Sequence, residues 1–359
     1  MAPIRANAPI QLGVSLDSSR TLNIDIPAAT LSGSITVNGA LPGAPVRVSL
    51  RNAATADSVP LTQAASAPYA PLRIIPGTYD IHYDAEATPA VGLPRNVGTV
   101  LRSGVALTGS QTLDIDIPTV SVSTPDGVMS AYELIPDGEG RRPAIVFLMD
   151  GLGYRTALKA MAERLASHGY HVILPDLYHR VGKHVHFEPI AMMQPETMAE
   201  MRKLIGNLTP DMLMRDVAAC LDVLASRPSV DATRVGAVGY CMGGRNAFIA
   251  ATRLPDRLRA TASIHPGGIV LGDPASPHLF AAPAQARMYF GIAKDDVFFT
   301  KEQAETLDQT LAALGKRYQI EHYEARHGWA VTDTPVYDAA EAERHWKAIL
   351  ALFAEELGA

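Results

Sequence analysis

The sequence predicts a protein of two parts, a small all-β sandwich over residues 1–120 followed by a doubly wound, mostly parallel α/β sheet over residues 121–359. The composition changes near residue 120, because every Lys, Phe and Trp of the chain follows it. The hydrophobic period changes at the same place, from short strands of alternating apolar and polar residues to buried apolar strands separated by amphipathic helices. A chain of 359 residues is also long enough for two domains of ordinary size.

Short alternating strands bounded by turn residues fill the first part. Four segments show the period of two that is typical of strands, residues 21–27, 35–39, 46–50 and 76–83. The pattern of residues 14–27 returns at residues 105–118, a repeat of the size of a small sandwich rather than of a solenoid unit. Two explanations stay open. Either a complete module over about residues 28–118 follows the last strand of another module, or two similar strands pair within one sandwich.

A resemblance gives this first part an expected role. Residues 31–39 and 75–81 resemble the carboxypeptidase-regulatory-like, prealbumin-type modules of bacterial surface proteins. The resemblance implies binding or spacing rather than chemistry, so we expect this part to contact another protein or a surface.

Buried strands and helices alternate through the second part. The first helix is expected to begin near Arg155 and to end at Gly169, and a later helix to begin with Thr209 as its N-cap and Pro210 at its first position. Such alternation builds a parallel sheet, whose ligands bind outside the carboxyl ends of the strands. The predicted strands are residues 144–149, 171–175, 235–239, 262–265, 286–291 and 318–323.

Charge and composition exclude several classes of partner. The net charge is −6 and no block of Lys or Arg occurs, so neither nucleic acid nor an anionic membrane is an expected partner. No run approaches the ~18 apolar residues of a membrane span, and the N-terminus lacks the apolar stretch of a secretory signal. A cytoplasmic location is therefore the default expectation, with export open if the chain is truncated. Cys220 and Cys241 are too few for a disulfide framework.

The turn around Cys241 carries the strongest chemical signal. Gly239 and Gly243 flank the cysteine between a buried strand and a helix, the pattern of a nucleophile elbow with Cys in the place of Ser. We expect the glycines to be required because strand and helix approach too closely for side chains. At a helix N-terminus the helix dipole favours a thiolate. Cys220 lies beside the apolar stripe of a predicted helix, which indicates a structural role.

A cysteine nucleophile needs a base, and the base needs an orienting carboxylate. His327 follows the last predicted strand and is the candidate base. The acid is expected after the preceding strand, where Asp295 and Asp296 both stand, and we favour Asp296. The backbone amides of Gly151 and Met242 are the expected oxyanion donors.

Other polar and sulfur-containing residues have less definite roles. Asp150 ends the first strand of the second part and would either contact the thiol or act as a carboxylate that caps the next helix. His179, His184 and His186 lack the matched ligand geometry of a metal site and are expected in a solvated loop, so we expect no metal and no cofactor. Six methionines could roof the pocket or simply form helix core: Met192, Met193, Met198, Met201, Met212 and Met214.

The second part resembles the dienelactone hydrolase family of the α/β-hydrolase superfamily over about residues 122–357. The matching segments, in family order, are residues 122–127, 150–153, 175–180, 239–244 and 327–346. The resemblance implies a Cys-Asp-His site that cleaves a small-molecule ester or lactone, and it assigns these roles to Cys241, Asp296 and His327. In residues 296–300, Thr300 stands where the family often has Pro, and this spacing supports Asp296.

Two positions relate this sequence to the family's substrate chemistry. Asp150 stands where the type enzymes have a Glu that is the resting partner of the thiol. Val331 stands where they have an Arg that holds the substrate carboxylate, which makes dienelactone itself a doubtful substrate. The expected activity is hydrolysis of an ester or lactone through a thioester. The alternatives are an enzyme that acts on thioesters or peptides, and a catalytically silent binding domain.

Overall fold

The computed structural model describes residues 28–37, 46–54, 57–63, 68–83, 99–113, 115–117, 120–136, 140–182, 185–189 and 194–358. The contacts of the chain form two compact units, Met1–Thr119 and Val120–Ala359. The first copy of the sequence repeat, residues 14–27, lies outside the described residues, so the two explanations of that repeat both stay predictions.

The first unit is built from strands, as the alternating patterns predicted. Most strands pair in antiparallel fashion, while β1 with β8 and β2 with β9 form parallel pairs. Its apolar core includes Leu31, Leu50, Tyr79 and Ile81, all of them buried. The strands are β1 (Ala29–Gly33), β2 (Ile35–Val37), β3 (Val46–Asn52), β4 (Ser58–Gln63), β5 (Tyr69–Ile74), β6 (Gly77–Tyr83), β7 (Thr99–Leu107), β8 (Gln111–Thr112) and β9 (Ile115–Ile117).

The second unit contains an eight-stranded sheet in the order β10-β11-β13-β12-β14-β15-β16-β17. From β13 to β17 along this order all neighbours are parallel, and β10 and β11 add an antiparallel hairpin at one edge. The predicted doubly wound, mostly parallel sheet is therefore confirmed. Its strands are β10 (Val120–Thr124), β11 (Gly127–Leu134), β12 (Arg142–Leu148), β13 (His171–Pro175), β14 (Val230–Tyr240), β15 (Ala260–Ile264), β16 (Arg287–Ala293) and β17 (Tyr318–Tyr323).

Helices connect the parallel strands, and their ends follow local sequence signals. The Thr209 side chain accepts a hydrogen bond from the Met212 N–H, with Pro210 at the first helical position. Gly169 follows the first helix with a positive φ of 90°, which favours glycine. The helices are α1 (Thr156–Ser167), α2 (Pro195–Asn207), α3 (Pro210–Ser226), α4 (Met242–Arg253), α5 (Lys301–Ala313) and α6 (Ala339–Leu357).

The carboxyl ends of five parallel strands meet at one edge of this sheet and there deliver polar side chains. Each of these side chains follows its strand by one to four residues: Asp150 after β12, Cys241 after β14, His265 after β15, Asp296 after β16 and His327 after β17. Most of the strand residues behind them are apolar and fully buried, so the edge is carried by a rigid core. Among the helices that the structure describes, none has an apolar stretch long enough to traverse a bilayer.

Candidate active site

Cys241 occupies the sharp turn between β14 and α4. Its backbone has φ 54° and ψ −115°, and it is one of two non-glycine residues with positive φ among the described residues. A Cβ placed on Gly239 would lie 2.0 Å from the Gly243 carbonyl oxygen, and one on Gly243 would lie 2.1 Å from the Leu148 carbonyl oxygen. Both contacts are impossible, so the elbow requires glycine on each side of the cysteine. The strained backbone holds Cys241 half-buried at the wall of a cavity.

His327 and Asp296 form a hydrogen-bonded pair beside this turn. The Nδ1 of His327 lies 2.7 Å from the Oδ2 of Asp296, and the other carboxylate oxygen accepts a bond of 2.8 Å from the Phe298 N–H. The Asp296 side chain is fully buried, whereas Asp295 is exposed. The structure thus brings Asp296, and not its neighbour, to the histidine.

The protonation of His327 is set by its neighbours. Burial opposes the charged imidazolium, but the negative charge that a thiolate at Cys241 would carry and the hydrogen bond with Asp296 raise the pKa of His327 to about 10. By distance and angle, the Nε2 of His327 makes no hydrogen bond to any described residue. The influence of Cys241 is therefore better described as electrostatic attraction than as a well-formed hydrogen bond. Contacts of this kind are often long before substrate binds.

An apolar cavity of about 480 Å³ opens over the cysteine and the histidine. Gly151 and Met242, the expected oxyanion donors, line it together with Cys241 and His327. Met198 and Met201 of α2 also line it, while Met214 is buried in the core and Met192 and Met193 lie outside the described residues. Each of the two expectations for the methionines therefore holds for part of the set: the methionines of α2 line the cavity, and Met214 of α3 lies in the core.

Asp150 does not have the role that its position suggested. Its carboxylate oxygens lie 2.6 and 2.9 Å from the Arg155 guanidinium, and one of them also accepts from the Leu152 N–H at 3.0 Å. Among the described residues no hydrogen bond joins Asp150 to Cys241 or to a backbone N–H of α1. A buried carboxylate satisfies its charge with a guanidinium rather than with a cysteine side chain, which explains the difference.

Arg155 connects two segments of the cavity wall. Its guanidinium also lies 2.7 and 2.9 Å from the carboxylate oxygens of Asp333, in the segment after His327. The Arg155 side chain is only 6% exposed. One arginine therefore ties the Gly151 loop to the histidine segment, a contact that the sequence could not reveal because the two carboxylates are distant in the chain.

His265 is the functional candidate that sequence reasoning missed. It is buried, has φ 35°, and its Nδ1 accepts a hydrogen bond of 3.2 Å from the Cys241 N–H. Its ring lies 5.0 Å from the His327 ring, edge to face. Burial, followed by the neighbouring His327 and His345, lowers the pKa of His265 well below its usual value, so the ring stays neutral and accepts. Its position directly after β15 was the signal, since the rule that selected the other strand ends applies to it equally.

Of the histidines considered as metal ligands, His179 and His186 do not line this cavity. His179 is not solvated, since its side chain is 4% exposed and its Nε2 lies 3.2 Å from the Asp216 carboxylate. The His186 side chain is 44% exposed, and His184 lies outside the described residues. Within the described ranges, no group of three or more metal-ligating side chains is brought together.

The sheet, its order and the glycine-flanked elbow define a member of the α/β-hydrolase class. The family model for the dienelactone hydrolase family matches residues 129–357, and the chain belongs to that family of hydrolases. Its relatives include a Synechocystis protein named "Putative carboxymethylenebutenolidase", 26% identical over 250 residues that cover 68% of this chain and 99% of that one. A carboxymethylenebutenolidase of Rhodococcus opacus is 28% identical over 219 residues, 60% of this chain and 81% of that one.

A solved structure shows the same fold. The dienelactone hydrolase-like promiscuous phosphotriesterase P91 from metagenomic libraries has a TM-score of 0.56 at 23% identity, over 67% of this chain and 98% of that one. At this level of identity, the likeness carries information about the fold alone.

Proposed function

We propose that the protein hydrolyses carboxylic esters or lactones through a thioester on Cys241. The observation that carries the proposal is the conjunction of three features on one cavity: the strained elbow at Cys241, His327 beside it, and the bond of 2.7 Å from His327 to buried Asp296. A nucleophile, a base and an orienting acid in this order form the recurring arrangement for acyl transfer.

In the first half-reaction the Cys241 sulfur attacks the carbonyl carbon and a C–S bond forms. The carbonyl electron pair moves to the oxygen, and the N–H groups of Gly151 and Met242, two residues that line the cavity, are the proposed donors to it. When the oxyanion collapses, the C–O bond breaks and the departing alkoxide takes the proton of the His327 imidazolium. In the second half-reaction neutral His327 removes a proton from water, hydroxide attacks the thioester, and the sulfur leaves as thiolate.

The carboxylate of Asp296 fixes which nitrogen of His327 does this work. Because Nδ1 donates to Asp296, Nε2 is left to exchange protons with the sulfur, the leaving group and water. The His265 Nδ1 accepts a hydrogen bond from the Cys241 N–H, and this bond helps to hold the elbow in its unusual conformation. No step calls for a metal or a cofactor.

The cavity wall suggests the kind of acyl group. Most of its surface is apolar, and the thioethers of Met198 and Met201 and the side chain of Ile205 face it from α2. A volume of about 480 Å³ falls within the range of small-molecule sites, ~300–1,000 Å³. We therefore propose an ester with an apolar body as the substrate.

The test is release of nitrophenol from nitrophenyl esters of increasing acyl length, with wild type, Cys241→Ala and His327→Ala compared. Activity in wild type that both substitutions remove supports the proposal. Inactivity of wild type at every acyl length rules it out in favour of a silent binding domain. Full activity of Cys241→Ala rules out a reaction through a thioester on Cys241. Matched thioester and anilide substrates, measured beside the oxygen esters, separate the thioesterase and peptidase alternatives by their kcat/KM.

A further inference from the structure

One arginine in the wall of the largely apolar cavity has no carboxylate partner among the described residues. Arg245, in the first turn of α4, lines the cavity beside Cys241, Met242 and Gly268. None of the ion pairs between described residues includes Arg245. The Arg245 Nε is also a buried atom with no hydrogen-bond partner among these residues.

The surroundings of Arg245 explain why an arginine without a carboxylate partner is unusual at this position. Burial lowers the pKa of Arg245, and the groups that work in the opposite direction are Cys241 and the Tyr178 hydroxyl. The Tyr178 hydroxyl already donates to the Gly151 carbonyl at 2.9 Å. A largely buried guanidinium without a carboxylate is unfavourable in an apolar wall, because the charge loses hydration without gaining a partner. Such a group is explained if an anion enters with the ligand.

We infer that Arg245 forms an anion-binding subsite of the cavity, and that the substrate is an ester whose apolar body carries a carboxylate or similar anionic group. This inference rests on the proposed hydrolase function and narrows its substrate class. The guanidinium presents a planar set of donors to the anion, which a carboxylate matches with two parallel hydrogen bonds. Gly268 lies beside the guanidinium, since a Cβ built on it would be 3.6 Å from the Arg245 Nη1.

The position of the subsite is independent of Val331. Residue 331 is a fully buried valine and does not line the cavity, so it offers no charge to the ligand. Among the described residues, Arg202 of α2 is the other arginine that lines the cavity, and it is exposed to solvent. An exposed guanidinium keeps its hydration and gains little from an added anion. Arg245 is therefore the side chain that distinguishes an anionic ester from a neutral one.

The experiment compares two esters that differ in charge, mono(4-nitrophenyl) adipate and its neutral methyl ester, each corrected for the enzyme-free rate. We expect wild type to prefer the anionic ester in kcat/KM by roughly 10- to 100-fold, the usual range for a charge-assisted hydrogen bond. Arg245→Met should bring this ratio close to one, and Arg245→Lys should retain part of it. Arg202→Met, which removes a positive charge from the rim, is the matched control and should leave the ratio within about twofold.

The possible results separate the two proposals. Hydrolysis of the neutral ester without a preference for the anionic one overturns the subsite and leaves the hydrolase function standing. An equal loss on both esters in Arg245→Met also overturns it, because Arg245 would then serve the thiolate or the fold. If neither ester is hydrolysed by wild type, both proposals fail. Should Arg245→Met not fold, the wild-type ratio, the Arg245→Lys ratio and competitive inhibition of the neutral ester by free adipate decide the matter.

Discussion

The two cysteines of the chain lie in opposite kinds of surroundings. Cys220 sits in the middle of α3, fully buried in the apolar core, where burial and then the nearby Asp216 charge raise the pKa of its thiol. Cys241 sits at a strand-to-helix turn with a positive φ, half-buried beside the His327 and Asp296 pair. A cysteine side chain is thus part of the apolar core in one place and a candidate nucleophile in the other. The backbone turn at Cys241 and the neighbouring side chains account for this difference in reactivity.

Loss of the Cys241 thiol is expected to have the largest effect. Because the sulfur forms the covalent intermediate, Cys241→Ala should lower kcat for a short-chain nitrophenyl ester by ~10³-fold or more. Cys220→Ala removes the same sulfur from the core and should change kcat by less than about threefold. Comparable losses in the two variants would break the comparison, since the activity would then follow folding rather than the elbow.

The acid that orients His327 is expected to come next in size. Asp296→Asn replaces the acceptor at 2.7 Å from the His327 Nδ1 with an amide and should lower kcat by ~10²- to 10⁴-fold. Asp295→Asn alters the exposed neighbour and should stay within about threefold. A larger loss at Asp295 than at Asp296 would reverse the assignment.

The pH dependence of alkylation distinguishes the cysteines by another route. The pKa of His327 is raised to about 10, so the imidazolium keeps its proton at neutral pH and releases it only as the pH rises through about 10. A positive charge beside the sulfur favours the reactive thiolate, so wild type should react with iodoacetamide at pH 7 at least ~10-fold faster than His327→Asn. The difference should shrink as the pH rises through about 10, where His327 loses its proton.

Mass spectrometry of tryptic peptides assigns the alkylated residue. Cys220 should stay unmodified in the folded protein at every pH of the series, because its sulfur is buried and its pKa is raised. Equal Cys241 rates in wild type and His327→Asn at pH 7 would show that the charge of His327 does not act on the sulfur.

The smallest expected effect is on the free energy of unfolding, where Cys220 should matter more than Cys241. Cys220→Ala leaves a small void in a well-packed core and should lower the free energy of unfolding by roughly 1–2 kcal/mol. Cys241→Ala touches the cavity wall and should change it by less than about 0.5 kcal/mol. Urea unfolding followed by circular dichroism measures both, and a greater loss of stability at Cys241 would contradict this part of the comparison.

The sequence predicted much of the second unit because local signals there agree with the tertiary structure. The strand of residues 171–175, the Thr209 N-cap and the glycine pair around Cys241 all lie where predicted. These features depend on nearest neighbours: a short run of residues buried on both faces, an N-cap side chain and a turn that excludes a Cβ. The rule that ligands gather at strand ends then led to Asp296 and His327.

Contacts between distant residues were beyond the reach of local patterns. The link from Arg155 to Asp333 could not be predicted, because these two residues are far apart in the chain. The role of Arg245 was missed because an arginine four residues after a nucleophile looks like an ordinary exposed helix residue. Only the structure shows that Arg245 lines the cavity, with Gly268 beside it.

The central claim is that an acyl group is carried on Cys241, and intact-mass spectrometry tests it most directly. Wild-type enzyme turning over a short-chain nitrophenyl ester is quenched in acid within the first turnovers, and the protein mass is recorded before and after treatment with hydroxylamine. We predict an increase by one acyl group that maps to the Cys241 peptide, disappears with hydroxylamine and is absent in Cys241→Ala. Steady turnover with no acylated protein, or an acyl group on another residue with Cys241→Ala labelled to the same extent, would contradict the account.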